Sequence, residues 1–415
     1  MTPFHRADGL HRVVVTGIGM VSAAGHSRGA IVDALLRQKS GVHEAPDYVA
    51  HGLRSTVTGR PHAGTLDDAA IPRKLRRFMG DTASYACHAA IQAIAQAELD
   101  AEILANGRCG VVVGSGTGAM KDFEQALDTA RESGASRVLP YVVPRAMSST
   151  AQAAIAALFD LRGVGYAISS ACSTSIHCVG HAVDLLRLGR QDVMLAGGSE
   201  EAPWGAALCF DAMGVLSRAH NGRPAGASRP FDAARDGFVL GGGAGILVLE
   251  TLAHATARGA RPLAEITGMG AAMCASRAFA VDLATMCGVV RDACADLPAP
   301  PTFISAHANG SVDGDIAELE ALAHALGGPS ELPGITSIKA LTGHTVAAAG
   351  AMQIACAIWA MQENVVPGAA NVEQMDARAS AFPVLTDTRE YRVDSVLVNT
   401  FGFGGTYAAL TLTRM

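Results

Sequence analysis

Tyr166-Ala-Ile-Ser-Ser-Ala-Cys172-Ser-Thr-Ser-Ile176-His-Cys-Val-Gly-His-Ala-Val-Asp-Leu-Leu-Arg-Leu188, followed after Gly-Arg-Gln-Asp by Val193-Met-Leu-Ala196, changes its hydrophobic period twice. A short apolar run at 166–170 enters a turn of small polar residues. The stretch 176–188 then takes the 3.6-residue period of a helix packed on a sheet, and 193–196 is again a short buried strand. Outward from this unit the alternation recurs. Apolar runs at 12–16, 110–113, 245–249, 303–306 and 395–398 read as strands, and Ala-rich amphipathic segments such as 82–99 lie between them. Strands alternating with helices define an α/β protein. Residues 217–243, rich in Gly, Arg, Asn and Pro, read as a long surface loop, followed by a strand and a helix-like stretch at 251–258. A boundary near residue 260 divides the chain into 1–260 and 261–415. Two strand-to-turn units look related across it, 166–170 entering the Cys172 turn and 396–400 entering 401–405, which points to internal duplication.

Composition narrows the function classes. The 415 residues suffice for two or three domain-sized units or one large duplicated one. With 49% hydrophobic and 17% charged residues, and a mean hydropathy of +0.25, a disordered chain is excluded. The 32 Lys and Arg against 38 Asp and Glu give a net charge of −6. With no basic run read in the sequence, the electrostatic footprint of a nucleic-acid binder is missing. Apolar stretches are broken by Asp, Arg, His or Gly before the roughly 20 residues a membrane span needs. Residues 1–12 carry His5, Arg6, Asp8 and His11 in place of a signal-peptide apolar segment, so a cytoplasmic protein is expected. Nine scattered cysteines with no CxxC pair argue against disulfide scaffolding and zinc, and most are expected to be small buried hydrophobes.

Gly114-Ser-Gly116-Thr-Gly118-Ala119 follows a strand, precedes a helix-like stretch from Met120 and fits the G-x-G-x-x-[GA] pattern of a dinucleotide phosphate loop. Such a site wants an acidic residue about 20 positions on, at the end of a second strand. Residues 137–143 offer none, so a tight strand-to-helix turn is the expected role. Gly17-Ile-Gly19 is attributed to close strand–helix packing.

The stretch with chemical promise is the opening one. A cysteine between a strand and a helix start faces unpaired N–H groups and the helix dipole, which favour the thiolate, so Cys172 should be a better nucleophile than an ordinary buried thiol. Ser305-Ala-His307 ends a predicted strand, and Lys339 and His344 lie in Ser337-Ile-Lys-Ala-Leu-Thr-Gly-His344 before an Ala/Gly-rich helix. Groups at the carboxyl ends of strands converge on a shared crevice in open α/β sheets. His177, His181 and His324, on helix-like stretches, are assigned structural roles. In Asn399-Thr-Phe401-Gly-Phe403-Gly-Gly405, glycine permits a turn whose amides could stabilise an oxyanion.

Taken together, SSACSTS around Cys172, SIKALTGH through His344, NTFGFGG from Asn399 and SRPFDAARDGF from Ser228 resemble the β-ketoacyl-acyl-carrier-protein synthases. The resemblance runs almost end to end. It implies the thiolase-like fold, two duplicated α/β halves in a layered α-β-α-β-α sandwich. It also implies decarboxylative condensation of an acyl-Cys172 intermediate with malonyl-acyl-carrier protein, His307 and His344 stabilising the enolate, with a β-ketoacyl chain two carbons longer as product. By the same carry-over the amides of Cys172 and Phe403 match the oxyanion hole and Phe401 a gating aromatic. Lys339 and Glu318 match a buried charged pair supporting the histidines. Thr117 matches a position limiting the acyl tunnel near the dimer interface, Phe238 the malonyl side and Met147 a contact with the partner subunit. An acyl carrier protein is the implied partner, with a two-fold homodimer expected and a heterodimer with a chain-length-factor-like subunit the alternative. No metal or dissociable cofactor is needed.

Two departures stand out. Where the family has His-Gly-Thr-x-Thr this chain has His307-Ala308-Asn309-Gly310-Ser311, followed by the expected Gly314-Asp315 and Glu318. Asn309 and Ser311 replace the threonines that bond the pantetheine arm, and Ala308 adds a methyl. In addition, Arg277 stands where an acidic residue commonly follows Ser, and the Pro-x-x-Gly element of that segment is missing. These changes point to a specialised pathway such as polyene or aryl-polyene assembly. Two competing readings are a catalytically weak chain-length-determining subunit, opposed by the presence of Cys172, and a nicotinamide-dependent ketoreductase, opposed by the lack of a ribose-binding acid and of a Tyr-x-x-x-Lys pair.

Overall fold

The computed structural model describes residues 3–62, 64–275 and 281–415. Ten strands form the central sheet: β1 Val13–Val21, β2 Cys109–Gly114, β3 Gly165–Tyr166, β4 Val193–Glu200, β5 Gly243–Thr251, β6 Ala264–Met273, β7 Phe303–Ser305, β8 Gly334–Thr336, β9 Ser395–Gly402 and β10 Thr406–Thr413. Their spatial order is β8-β7-β9-β10-β6-β1-β5-β4-β2-β3.

Divided between β6 and β1, this order is one pattern repeated. In each half the outer edge is the third strand in sequence, and the second, fourth, fifth and first follow inward. The three outer strands of each half are parallel and the remaining pairings antiparallel. Within the sheet, the two halves meet at Val14 opposite Glu265 and Val15 opposite Ala264.

Seven principal helices cover these strands: α1 Asp81–Ala97, α2 Met120–Ser133, α3 Thr150–Phe159, α4 Thr174–Arg187, α5 Leu283–Cys294, α6 Gly314–Leu326 and α7 Ala349–Glu363. Outer helices α1 and α3 pack on the first half, and α5, backed by α6, packs on the second. Between the halves lie α4, touching strands of both, and α7, which does the same. The result is the α-β-α-β-α layering. Sandwiched on two sides, α7 is buried from Ala349 to Met361. Close packing explains the Gly17-Ile-Gly19 pair: a Cβ at either glycine would sit about 2 Å from a backbone carbonyl of α1, that of Ala93 or Ala89.

Three expectations are corrected. First, 217–243 is not a surface loop; Ser228 to Asp232 and Gly237 to Gly243 are buried. Its arginines can enter the interior because they are paired there, Arg229 with Asp232 and Arg235 with Asp376 and the carbonyl of Ser311. Second, the duplication pairs other elements than local similarity suggested. The topological counterpart of the β3-to-Cys172 unit is β8 leading to His344, whereas β9, carrying 396–400, answers to β4. Third, β6 and β10 escaped the strand pattern, because their Ala- and Gly-containing runs give little apolar contrast. The short helix Arg73–Arg76 and the following Arg77 also gather four basic side chains, a concentration of charge passed over in the sequence. Among the described residues no helix is long and apolar enough to cross a membrane. Among the described residues no cysteine forms a disulfide; seven are buried, Cys294 is half-buried and Cys209 exposed.

Candidate active site

Cys172 sits in a single 3-10 turn, Ala171–Ser173, that runs directly into α4. The residue before it, Ala171, has φ +51, a left-handed conformation costing a non-glycine residue on the order of 1–2 kcal/mol. Surrounding bonds hold it there. The Thr174 hydroxyl accepts from the Ser170 amide at 2.8 Å and donates to the Ala171 carbonyl at 2.7 Å. The Ser173 hydroxyl reaches the carbonyls of Thr400 and Thr406 at 3.0 and 2.7 Å, tying the turn to β9 and β10 in the other half.

The environment of the thiol corrects the simple helix-dipole expectation. Burial pushes Cys172 up to about 11, against the opposing pull of the Phe403 amide and the Lys339 charge. The resting group is therefore a neutral thiol. Cys178 and Cys356, also in the interior, are pushed to about 12, so the local donors favour the thiolate at Cys172 relative to them without overcoming desolvation.

His344 lies in the loop between the short helix Lys339–Thr342 and α7. Its amide donates to Val239 at 2.7 Å and its carbonyl accepts from Gly241 at 2.9 Å, so the buried 217–243 segment sets its position. Its Nε2 is 3.0 Å from the Cys172 sulfur. His307, just past β7, stands with its ring perpendicular to that of His344, centroids 5.2 Å apart. Burial and the Lys339 charge hold both imidazoles well below the usual histidine range, so both are neutral.

A clamp behind His307 fixes its backbone. The Glu318 carboxylate accepts from the amides of His307 and Ala308 at 2.8 and 2.7 Å. One turn earlier on α6, Asp315 Oδ1 accepts from Asn309 and Gly310 at 3.0 and 3.1 Å. Two acids at i and i+3 thus satisfy four consecutive amides. On the opposite side Lys339 Nζ donates to the His307 carbonyl. Lys339 and Glu318 make no direct ion pair, which revises the implied charged pair: each is spent on the backbone of His307. Burial pushes the lysine down and the carboxyl up, while their mutual attraction opposes both shifts. Sequence reasoning missed Gln353, which bonds Lys339 Nζ at 3.4 Å and the carbonyls of Ser305, Ala306 and Asn399. The available signal was a single glutamine within the apolar buried run 349–361. Arg235 was missed as well; it carries the Ser311 carbonyl at the far end of the same turn.

These groups open on a cavity of about 200 Å³ lined by Cys172, His307, Phe238, Asn309, Phe401 and Phe403 among others. Ser311 and Ala308 also line it, the Ala308 methyl being accommodated as a buried member of the second half's core. The turn after β9 is made possible by Gly404 and Gly405, both near φ +78. Phe401 packs edge-on against His307 and Tyr407, and Phe238 edge-on against His344. Asn309 turns its carbonyl oxygen to the Ser311 amide at 3.0 Å, leaving its NH2 end as the polar group on offer.

Thr117 and Met147 lie outside this cavity, Thr117 exposed and Met147 half-buried. Thr117 belongs to the glycine loop, whose amides have an internal partner: Glu200, at the end of β4, accepts from the amides of Gly116 and Thr117 and the hydroxyls of Ser115 and Thr117, at 2.7 to 3.2 Å. A carboxylate of the chain itself takes the place a dinucleotide phosphate would need. Arg277 lies outside the described residues.

A thiol at a helix start, two neutral imidazoles beside it and the Phe403 amide of the glycine turn directed at it, carried on the duplicated five-layer fold, define a condensing enzyme of the acyltransferase class. The Beta-ketoacyl synthase N-terminal domain model matches residues 10–255 and the C-terminal domain model residues 263–373, and the chain belongs to the β-ketoacyl synthase family. It is 38% identical over 412 residues to 3-oxoacyl-[acyl-carrier-protein] synthase 1 of Haemophilus influenzae, covering 98% of this chain and 99% of that one. The crystal structure of a beta-ketoacyl synthase from Burkholderia phymatum superposes with a TM-score of 0.90 at 32% identity, over 97% of this chain and 99% of the other. A type II PKS acyl-carrier protein in complex with its ketosynthase gives a TM-score of 0.87 at 26% identity, over 98% and 100%.

Proposed function

We propose that this chain is a cytoplasmic β-ketoacyl-acyl-carrier-protein synthase, built of the halves 1–260 and 261–415, that elongates an acyl chain held on Cys172. The observation that carries the reading is the 3.0 Å approach of His344 Nε2 to the Cys172 sulfur, with Cys172 and His307 lining one cavity. In the first step the Cys172 sulfur bonds the acyl carbonyl carbon and the pantetheine thioester bond breaks. The thiol proton leaves through His344 and ends on the pantetheine sulfur. The amides of Cys172 and Phe403 hold the oxyanion. In the second step malonyl-carrier protein loses CO2, and the electron pair of the broken C–C bond becomes an enolate at the thioester. Neutral His307 and His344 donate to its oxygen. The enolate carbon then bonds the acyl carbonyl, the C–S bond to Cys172 breaks, the thiolate takes a proton from solvent to return to the resting thiol, and the β-keto product leaves on its carrier. Phe401 gates the passage, Phe238 lines the malonyl side, and Asn309 and Ser311 bond the pantetheine arm.

The partner subunit is a second copy. The outer edge of β3 ends the sheet without a neighbour among the described residues and is the edge through which the two copies pair, Thr117 and Met147 belonging to the same half on the segments that follow β2 and precede α3. The altered His307–Ser311 turn suits a specialised pathway of the polyene type. Intact-mass analysis tests the core reading. Wild type should gain an acyl adduct from acyl-carrier protein and release a product two carbons longer after malonyl-carrier protein, while Cys172→Ala should do neither. An adduct on Cys172→Ala, or elongation by it at the parental rate, would overturn the assignment. Sedimentation should give twice the chain mass.

A further inference from the structure

Cys172, His307 and His344 share a property that condensation does not use. Each offers one ligand atom to a metal ion, and the three atoms lie within 4.8 Å of one another in a buried setting. Among the described residues no other group of three His, Cys, Asp or Glu side chains converges in this way. A tetrahedral zinc ion stands about 2.3 Å from sulfur and about 2.0–2.1 Å from imidazole nitrogen, which puts its ligand atoms about 3.3–3.6 Å apart. His344 Nε2 and the Cys172 sulfur, at 3.0 Å, are just inside that spacing. The rings of His307 and His344 stand perpendicular, centroids 5.2 Å apart, so they do not stack shut over the space between them.

The donor set holds no oxygen. Glu318 and Asp315 are taken up by the backbone amides of 307–310, and Glu200 by the glycine loop. Mg2+ and Ca2+, which need oxygen ligands, are therefore disfavoured and a thiophilic ion is selected. Both imidazoles are neutral, so neither has to lose a proton to bind. The Lys339 ammonium on the His307 carbonyl opposes any cation here, and of the three ligands only a Cys172 thiolate offsets it. The Nδ1 atom of each ring is buried without a hydrogen-bond partner. A resident metal site anchors that nitrogen, and lacking the anchor costs about 10–100-fold in affinity, so the trio suits an ion that exchanges. We propose that Cys172, His307 and His344 form a reversible inhibitory site for a thiophilic divalent cation, with Zn2+ as its probe. The ion bonds the Cys172 sulfur and one nitrogen of each imidazole, the thiol proton passes to the buffer, and water fills the fourth position toward the cavity. While the ion is bound, the sulfur cannot attack a thioester. Once an acyl group is on the sulfur, the ion has no thiolate to bind.

The site rests on the condensing-enzyme reading only for the acyl group that competes with the ion. The test uses the full-length, phosphine-reduced, metal-free protein carrying Cys209→Ser, so that the exposed thiol adds no second site. Zn2+ is titrated against a chromophoric chelator, and Co2+ serves as an optical probe of the ligands. Expected are one equivalent of Zn2+, one proton released per ion by calorimetry in two buffers, and a thiolate-to-cobalt charge-transfer band. Cys172→Ala should abolish the band, and it and His344→Ala should each weaken Zn2+ by at least about 100-fold, the upper end of what a lost outer-shell partner costs. Excess Mg2+ should not compete. Acyl transfer from acyl-carrier protein, followed by intact mass, should slow in proportion to zinc occupancy and recover on adding chelator, and the acylated protein should take up no zinc. Undiminished zinc binding by Cys172→Ala, or binding without a charge-transfer band in the parent, would place the ion elsewhere and overturn the proposal. Should Cys172→Ala fail to fold, alkylating Cys172 in the parent protein makes the same comparison. Zinc held at the trio with no acyl adduct formed in its absence would reject the condensing reading and leave the site standing. An acyl adduct with no zinc at the trio sinks the site alone.

Discussion

The loops that follow the second strand of each half, 114–119 after β2 and 306–311 after β7, occupy the same topological position and face the same physical problem. Each leaves a strand end with successive amides unpaired. The first half solves this with a carboxylate from the neighbouring strand, Glu200, which caps a loop built of Gly, Ser and Thr. The second half uses the helix that follows, through Asp315 and Glu318, and leaves the neighbouring strand free to bring Asn399 and the Phe403 amide to the site. Because its amides are satisfied from behind, the second loop can present an imidazole forward. The duplication thus supplies two equivalent strand ends, and one holds a packed turn while the other holds the His307 imidazole proposed for catalysis.

The largest effect expected from this asymmetry is His307→Ala. Decarboxylation of malonyl-carrier protein should fall about 10³-fold, within the range for loss of a positioned proton donor, while acyl transfer to Cys172 continues. CO2 release and adduct formation measured on one preparation check this. Parallel loss of both activities would show that the two halves are not chemically separate.

Removing the two carboxylates sharpens the same contrast. Glu318→Ala unpairs two buried amides, for a loss of about 2–6 kcal/mol at about 1–3 per unpaired group, together with most of the turnover. Glu200→Ala unpairs a loop that is partly exposed at Gly116 and Thr117, and should cost about 1–3 kcal/mol with turnover kept within fivefold. Urea denaturation at pH 7 alongside turnover gives both quantities. Equal activity losses would break the comparison.

How much of this was legible in the sequence follows from how local each feature is. Cys172, His307, His344 and the Asn399–Gly405 turn lie in short stretches where residue type and strand-to-helix position appear together, so chemistry and placement could be read at once. Gln353 could not be placed, since its carbonyl partners lie 46 to 48 residues away and only its isolation among apolar neighbours marked it. The 217–243 segment misled for a related reason. Its arginines look solvated until Asp376, 141 positions from Arg235, is seen beside them. The duplication was visible, but strand order is set by crossovers that no local pattern records, so 396–400 was matched to the wrong unit.

The two helix-start turns, Cys172 before α4 and His344 before α7, form the second matched pair, and their coupling is testable through the thiol. With Cys172 at about 11, thiolate forms a small fraction at neutral pH and grows about tenfold per pH unit below that value. Inactivation by iodoacetamide should therefore rise about tenfold per unit from pH 7 to pH 10 without a plateau. A plateau near pH 7 would show that His344 and the helix start already hold a thiolate in the free enzyme.

The smallest effect concerns the carrier arm. Asn309 spends its carbonyl oxygen on the Ser311 amide, so one NH2 group remains for a ligand in the cavity. Asn309→Thr removes that donor and the internal bond together, but supplies a shorter hydroxyl at the same strand end. The amide of residue 309 stays on Asp315 whatever the side chain, so the loop should keep its shape. The expected result is a change in KM for malonyl-carrier protein of about threefold, with kcat unchanged and His307 still in register, in keeping with one exchanged neutral hydrogen bond at about 0.5–1.5 kcal/mol. A fall in kcat beyond tenfold would mean that the Asn309–Ser311 bond, and not the acids of α6 alone, holds the imidazole in place.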